Sequence, residues 1–150
     1  MEKTTENKEK TFTRKCNKAP RLTKKQRKEL GVGKDQGRAS VDNISISASK
    51  AKLVVDLIRG KKVNEAMEIL HFQPKAASKY AEKVLRSAVA NLFVKYEDQK
   101  PETSDLYVKE AFVNGGPQLK RLLPAPMGRA FRVRKRSNHL TIVVANKGNN

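Results

Sequence analysis

Between Val113 and Leu140 lie 26 residues with seven Lys and Arg side chains, no Asp or Glu, and no apolar pattern able to build a core. The segments on either side alternate apolar and polar positions, with Leu106, Val108 and Phe112 before the stretch and Leu140, Ile142 and Val144 after it. Alternation of period two marks a half-buried strand. Pairing the two strands antiparallel with their apolar faces together sets Phe112 opposite Leu140 and Val108 opposite Val144. Both pairs place the fold-back at residue 126, where Pro124-Ala125-Pro126-Met127-Gly128 supplies turn chemistry. The pattern therefore predicts a hairpin arm over residues 114–138 that reaches on the order of 40 Å from Asn114, at about 3.3 Å per residue. An isolated two-stranded ribbon is marginal in water, and one that carries only positive charge repels itself. Such an arm is expected to take its order from phosphates outside the protein.

The whole chain repeats this imbalance. It has 33 Lys and Arg against 15 Asp and Glu, a net charge of +18. Residues 1–39 hold 13 basic and 5 acidic side chains, residues 40–114 hold 12 and 10, and residues 115–150 hold 8 and none. A nearly neutral body thus lies between two cationic segments, which points to a nucleic-acid partner. The single cysteine, Cys16, excludes an internal disulfide. No apolar run approaches the roughly 18 residues of a membrane span, and residues 1–30 lack an apolar stretch of signal-peptide length. A cytoplasmic protein with no membrane partner is expected.

Residues 1–38 read as a basic N-terminal extension. Met1 to Lys10 has no apolar period and is expected to be disordered alone. Thr23 to Leu30 predicts two helical turns, with Thr23 as N-cap and Gly31 as stop, and Gly31, Gly33 and Gly37 then read as a flexible link. The body over residues 39–150 opens with a short strand in which Ile44 and Ile46 alternate with polar neighbours. Ser47 caps a helix to Arg59 with Leu53, Val54, Leu57 and Ile58 as its apolar face, and Gly60 stops it. A second helix runs from Asn64 to His71 and buries Ala66, Met67, Ile69 and Leu70. A third starts near Pro74 and keeps a helical apolar period from Ala77 to Tyr96. Residues 97–104 are a polar loop.

Catalysis needs convergent groups of definite type, and the sequence offers little. His71 and His139 lie on different elements. One Cys and two His do not make a structural zinc site. Gly31-Val32-Gly33-Lys34 has the spacing of neither a dinucleotide nor a triphosphate loop. The acids of residues 40–114 sit singly among lysines and read as a solvated face, with Asp56 and Glu82 as the candidates for buried partners. No enzyme activity, cofactor, metal or small-molecule substrate is expected.

Several segments together resemble the bacterial large-subunit ribosomal protein number twenty-two family: ISASKAKLVVDLIRG (46–60) continuing through Lys61-Lys62-Val63-Asn64-Glu65-Ala66, FQPKAASKYAEKVLRSAVAN (72–91), DLYVKEAFVNGGPQLKR (105–121) and GRAFRVRKRSNHLTIVV (128–144). They occur in the family's order and span about residues 40–147. The resemblance implies an α+β fold, three helices packed on a small antiparallel sheet with a long protruding β-hairpin. It implies binding to the large-subunit (23S) ribosomal RNA early in assembly, and a hairpin that lines the peptide exit tunnel opposite ribosomal protein number four, with its tip beside the nascent peptide. The tip departs from the family's common pattern at Ala125-Pro126-Met127, and Lys52 stands where arginine is usual.

The residues expected to meet RNA are Arg21, Lys24, Lys25, Arg27, Lys28 and Arg38 in the extension; Lys50, Lys52, Arg59, Lys61 and Lys62 on the body; and Lys120, Arg121, Arg129, Arg132, Arg134, Lys135, Arg136, Asn138 and His139 on the arm and its base. Leu123, Pro124, Ala125, Pro126, Met127, Gly128 and Arg129 form the expected tunnel-lining tip. Two rival readings exist. A DNA-architectural protein also uses basic β-arms with an apolar tip, but it is ordinarily a two-armed dimer, and no dimer seam is visible here. An RNA-processing nuclease needs clustered carboxylates or a histidine pair, which the sequence lacks.

Overall fold

A computed structural model of the chain describes residues 23–29, 36–96 and 103–146. The reading of Met1–Lys10 as disordered, and the glycines at 31 and 33, lie outside the described residues. Two units separate, Met1–Val32 and Gly33–Asn150. In the first, α1 spans Lys24–Glu29. Thr23 closes its start as anticipated: the Gln26 amide donates to Thr23 Oγ1 at 3.4 Å, and the Thr23 amide donates to Gln26 Oε1 at 3.0 Å, a reciprocal capping box.

The second unit runs β1 (Gln36–Ile44), α2 (Ala48–Ile58), α3 (Val63–Phe72), α4 (Ala76–Lys95), a 3₁₀ turn (Thr103–Asp105), β2 (Leu106–Pro124) and β3 (Ala130–Asn146). The three strands form one antiparallel sheet in the order β1-β3-β2, so the fold is α+β. On β3 the even positions Leu140, Ile142 and Val144 belong to the core with the helices. Thr141, Val143 and Ala145 alternate with them and are buried as well, since this strand has a neighbour on both sides.

The helices pack by residues three and four apart. On α2 the buried set is Ala51, Val54, Val55 and Ile58. Leu53 is 58% exposed and Leu57 is also exposed, so the apolar face expected from Leu53, Val54, Leu57 and Ile58 is turned by one position. On α3, Val63, Ala66 and Leu70 are buried, with Met67 and Ile69 packed against them. On α4, Ala77, Ala81, Val84, Leu85, Ala88, Val89 and Leu92 are buried. Fully burying one Leu or Val of this kind contributes about 1.5–3 kcal/mol.

Strand β1 starts at Gln36, ahead of the expected strand, and ends at Ile44; Ile46 lies beyond it. Gly37, expected in a flexible link, is instead buried in β1. A Cβ there would overlap the Ala88 carbonyl oxygen and come 2.7 Å from Leu92 Cβ. Glycine is what allows β1 and α4 to approach so closely. Two α4 side chains then bond the strand's edge: Asn91 Nδ2 donates to the Arg38 carbonyl at 2.9 Å, and Lys95 Nζ donates to the Gln36 carbonyl at 2.5 Å. The other edge is closed by the α2–α3 connection. The Gly60 amide donates to the Val108 carbonyl, and the Val108 amide to the Lys61 carbonyl, both at 2.9 Å. Paired edges cannot recruit a stray strand.

The hairpin register begins as expected, with Val108 opposite Val144. A bulge between Val108 and Glu110 then moves the pairing by one residue, so Phe112 faces Thr141 and Val113 faces Leu140. Ala111, not Phe112, enters the core. A second bulge between Gly115 and Gln118 moves it again, and Gln118 faces Arg136 while Pro124 faces Ala130. Each bulge adds one residue to β2 and none to β3. Together they carry the centre of the turn from residue 126 to Met127.

Candidate nucleic-acid interface

Strand β1 pairs no further out than Ile44 with Asn138. Beyond that point β2 and β3 continue as a two-stranded ribbon to Pro124 and Ala130. At its end the Ala125 amide donates to the Arg129 carbonyl at 2.9 Å. Met127 and Gly128 both take left-handed backbone, with φ of 61° and 68°. Glycine adopts that conformation freely and methionine does so at a cost. Met127 is 93% exposed at the apex.

All seven arm cations, Lys120, Arg121, Arg129, Arg132, Arg134, Lys135 and Arg136, are exposed. Among the described residues none of them forms a salt bridge. Cross-strand partners share a face, and neighbours along a strand point to opposite faces. The register therefore sorts the ribbon. One face carries Lys120, Arg132, Arg134 and Arg136, with exposed Leu122 opposite Arg132. The other carries Leu119, Leu123, Phe131 and Val133, with Arg121 opposite Val133 and Lys135 opposite Leu119.

The remaining expected contacts are distributed more widely. Lys24 and Lys25 are exposed on α1, and Arg27 and Lys28 fall on the same helix. Arg21 lies outside the described residues. Arg38, Lys50, Lys52, Lys61 and Lys62 are exposed on the body. Arg59 is already engaged: its Nε and Nη2 donate to the Ala111 carbonyl at 3.2 and 2.6 Å, and Nη2 stands 2.9 Å from Asp56 Oδ1. It braces α2 against β2. Glu82 pairs with Arg86 at 2.6 Å; Asp56 is exposed and Glu82 half-buried, so neither is a buried partner.

Two residues at the arm's base already have partners within the chain, and one of them, Asn138, corrects the sequence reading. Asn138 is fully buried, so its side chain cannot meet RNA; Nδ2 donates to the Ile46 carbonyl at 2.6 Å. His139 is half-buried and turned toward β1. Its Nδ1 stands 3.0 Å from Asp42 Oδ1 and 3.3 Å from the Asn43 amide. The first contact needs a proton on that nitrogen and the second excludes one, so only one operates at a time.

Sequence reasoning also missed two sets. Lys75, Lys79 and Lys83 stand four apart and exposed at the start of α4, a spacing that puts them on one helix face. Leu119, Leu122, Leu123 and Phe131 are exposed apolar groups on the arm. The expected register, read outward, pairs Leu123 with Arg129; only the two bulges bring Leu123 opposite Phe131.

Among the described residues no helix is long and apolar enough to cross a membrane, and no group of three or more His, Cys, Asp or Glu is placed to hold a metal ion. The family model for ribosomal protein L22p/L17e matches residues 39–145. The chain is 48% identical over 123 residues to the large ribosomal subunit protein uL22 of Acetivibrio thermocellus, covering 82% of this chain and 96% of that one. It is 51% identical over 109 residues to the uL22 protein of Chlorobaculum tepidum, covering 73% and 92%. With the uL22 protein of Bacteroides fragilis it shares 49% identity over 112 residues, 75% of this chain and 82% of that one.

Proposed function

This chain belongs to the ribosomal protein L22p/L17e family and is a structural constituent of the large ribosomal subunit, not an enzyme, and we propose that it serves there by threading its arm into the large-subunit (23S) ribosomal RNA. The observation that carries this reading is the ribbon beyond Asn138, with seven exposed cations and no anion. Each Arg or Lys that meets a phosphate releases condensed counterions, so affinity falls steeply with salt. Recognition rests on shape and backbone more than on sequence.

The body supplies a fixed mount. Asn138, Arg59 and the bonded sheet edges hold the arm's base, while the outer ribbon is free to take its order from RNA. In this reading the arm contributes to subunit assembly. Its tip, Leu123 to Arg129, lines the exit tunnel near ribosomal protein number four and the nascent peptide. Exposed Lys50, Lys52, Lys61 and Lys62, with the cations of α1 and the extension, add further phosphate contacts.

The test is co-sedimentation of the chain with large ribosomal subunits through a high-salt wash, with competition between ribosomal RNA and duplex DNA at equal phosphate. Retention and preference for ribosomal RNA are expected. A chain that washes off, or that prefers duplex DNA, overturns the proposal in favour of an architectural DNA-binding role.

A further inference from the structure

The arm has two chemically different faces, and neither can be covered by the arm itself, because the ribbon is one layer thick. The cationic face calls for phosphate. The opposite face leaves Leu119, Leu123 and Phe131 60%, 56% and 62% exposed, and apolar area left in water costs free energy in proportion to its size. Resting on the ribosomal RNA reading above, we infer that the Leu123–Phe131 face is a stacking platform for unpaired nucleobases of the same RNA whose phosphates meet the other face.

Three observations converge on nucleobases as the occupant. First, the apolar face is not purely apolar: Arg121 lies directly opposite Val133, and Lys135 opposite Leu119. An apolar protein segment laid there would leave two cations unneutralised. Second, the arm offers no anion to a partner on either side, so whatever covers it carries negative charge. Third, an exposed phenylalanine and an arginine lie two rungs apart on the same face, since Leu123–Phe131 and Arg121–Val133 are alternate pairs of the ladder. Aromatic rings and arginine planes are the groups on which splayed bases stack. Folded RNA enclosing the arm can present phosphates to one face and unpaired base planes to the other. One partner thus satisfies both faces of a ribbon that its own protein leaves bare.

The test is a salt titration of binding between the full chain and large-subunit ribosomal RNA. Stacking on an aromatic platform is worth about 1–3 kcal/mol per base, so the double variant L123S/F131S is expected to bind about 5-fold to 150-fold more weakly, with the dependence on salt unchanged. The double variant R132Q/R134Q is expected to weaken binding and to reduce the slope of log K against log salt by about 1.4–1.8. F131W, which keeps an aromatic plane, is expected to retain affinity. All these positions lie on the arm outside the core, and circular dichroism melts of each variant are expected to match the parent chain. If L123S/F131S binds RNA like the parent chain, the stacking inference is overturned while the ribosomal RNA reading stands. If that variant binds free RNA normally but loses retention only when other ribosomal proteins are present, a protein covers the face and the inference is equally overturned. If the parent chain shows no preference for ribosomal RNA, both fall together.

Discussion

Replacing Asn138 with alanine removes the donor that the Ile46 carbonyl uses at 2.6 Å, at a site with no solvent exposure. Leaving a buried acceptor unsatisfied costs about 1–3 kcal/mol. For a domain of this size each kcal/mol moves the midpoint by about 4 °C, so N138A is expected to lower Tm by roughly 4–12 °C. A second substitution sharpens the argument. N138D keeps the shape but loses the donor when ionised, and burial raises the folded pKa of the new carboxyl above its unfolded value of about 3.9. Below the unfolded value the group is protonated in both states, can donate, and adds no ionisation penalty. As pH rises through about 3.9 the unfolded state ionises first, so the penalty grows until pH passes the raised folded pKa. Far-ultraviolet circular dichroism melts across that range should show the gap between N138D and the parent chain widening with pH, while the N138A gap stays constant. RNA binding by N138A should keep the parent's salt dependence, since a buried side chain releases no counterions. An N138A melt that overlays the parent, or a changed salt slope, would refute this placement of Asn138.

Other perturbations read other parts of the fold. G37A pushes a methyl group into the Ala88 carbonyl and Leu92; overpacking of this kind costs about 1–3 kcal/mol, measurable as an earlier urea midpoint. R59A withdraws two donors from the Ala111 carbonyl and should lower stability by about 1–3 kcal/mol, again by denaturant titration; unchanged stability would return Arg59 to the RNA-facing set. R134Q alone should leave the melt unaltered and lower the slope of log K against log salt by about 0.7–0.9.

The sequence made the arm legible for a simple reason: two alternating strands separated by charge admit few other arrangements. The bulges are unevenly legible. The Gly115-Gly116-Pro117 run has the composition that often marks one, but Lys109 carries no such sign, and the bulge there exchanges Phe112 for Ala111 in the core. The helices were found by period, but on α2 period alone does not choose between Leu53 and Ala51. Asn138 and His139 looked like RNA contacts because they follow Arg132, Arg134, Lys135 and Arg136. Burial separates them from that run, and burial at the arm's base is decided by β1 and Ile46, more than ninety positions away. The apolar arm residues went unremarked because charge dominates that stretch when it is read in one dimension.

The strand order has a consequence for synthesis. β3 lies between β1 and β2, yet of these elements it is the last to leave the ribosome. Until residues 138–146 emerge, β1 and β2 have no shared partner, and the apolar sides of α2 and α4 lack Leu140, Ile142 and Val144 to close against. Gln36 must then find Ala145, a long loop to close and a slow kind of contact to make. Each newly made copy therefore spends most of its own translation as an unfinished sheet, completed in one late step by the strand that also carries the arm.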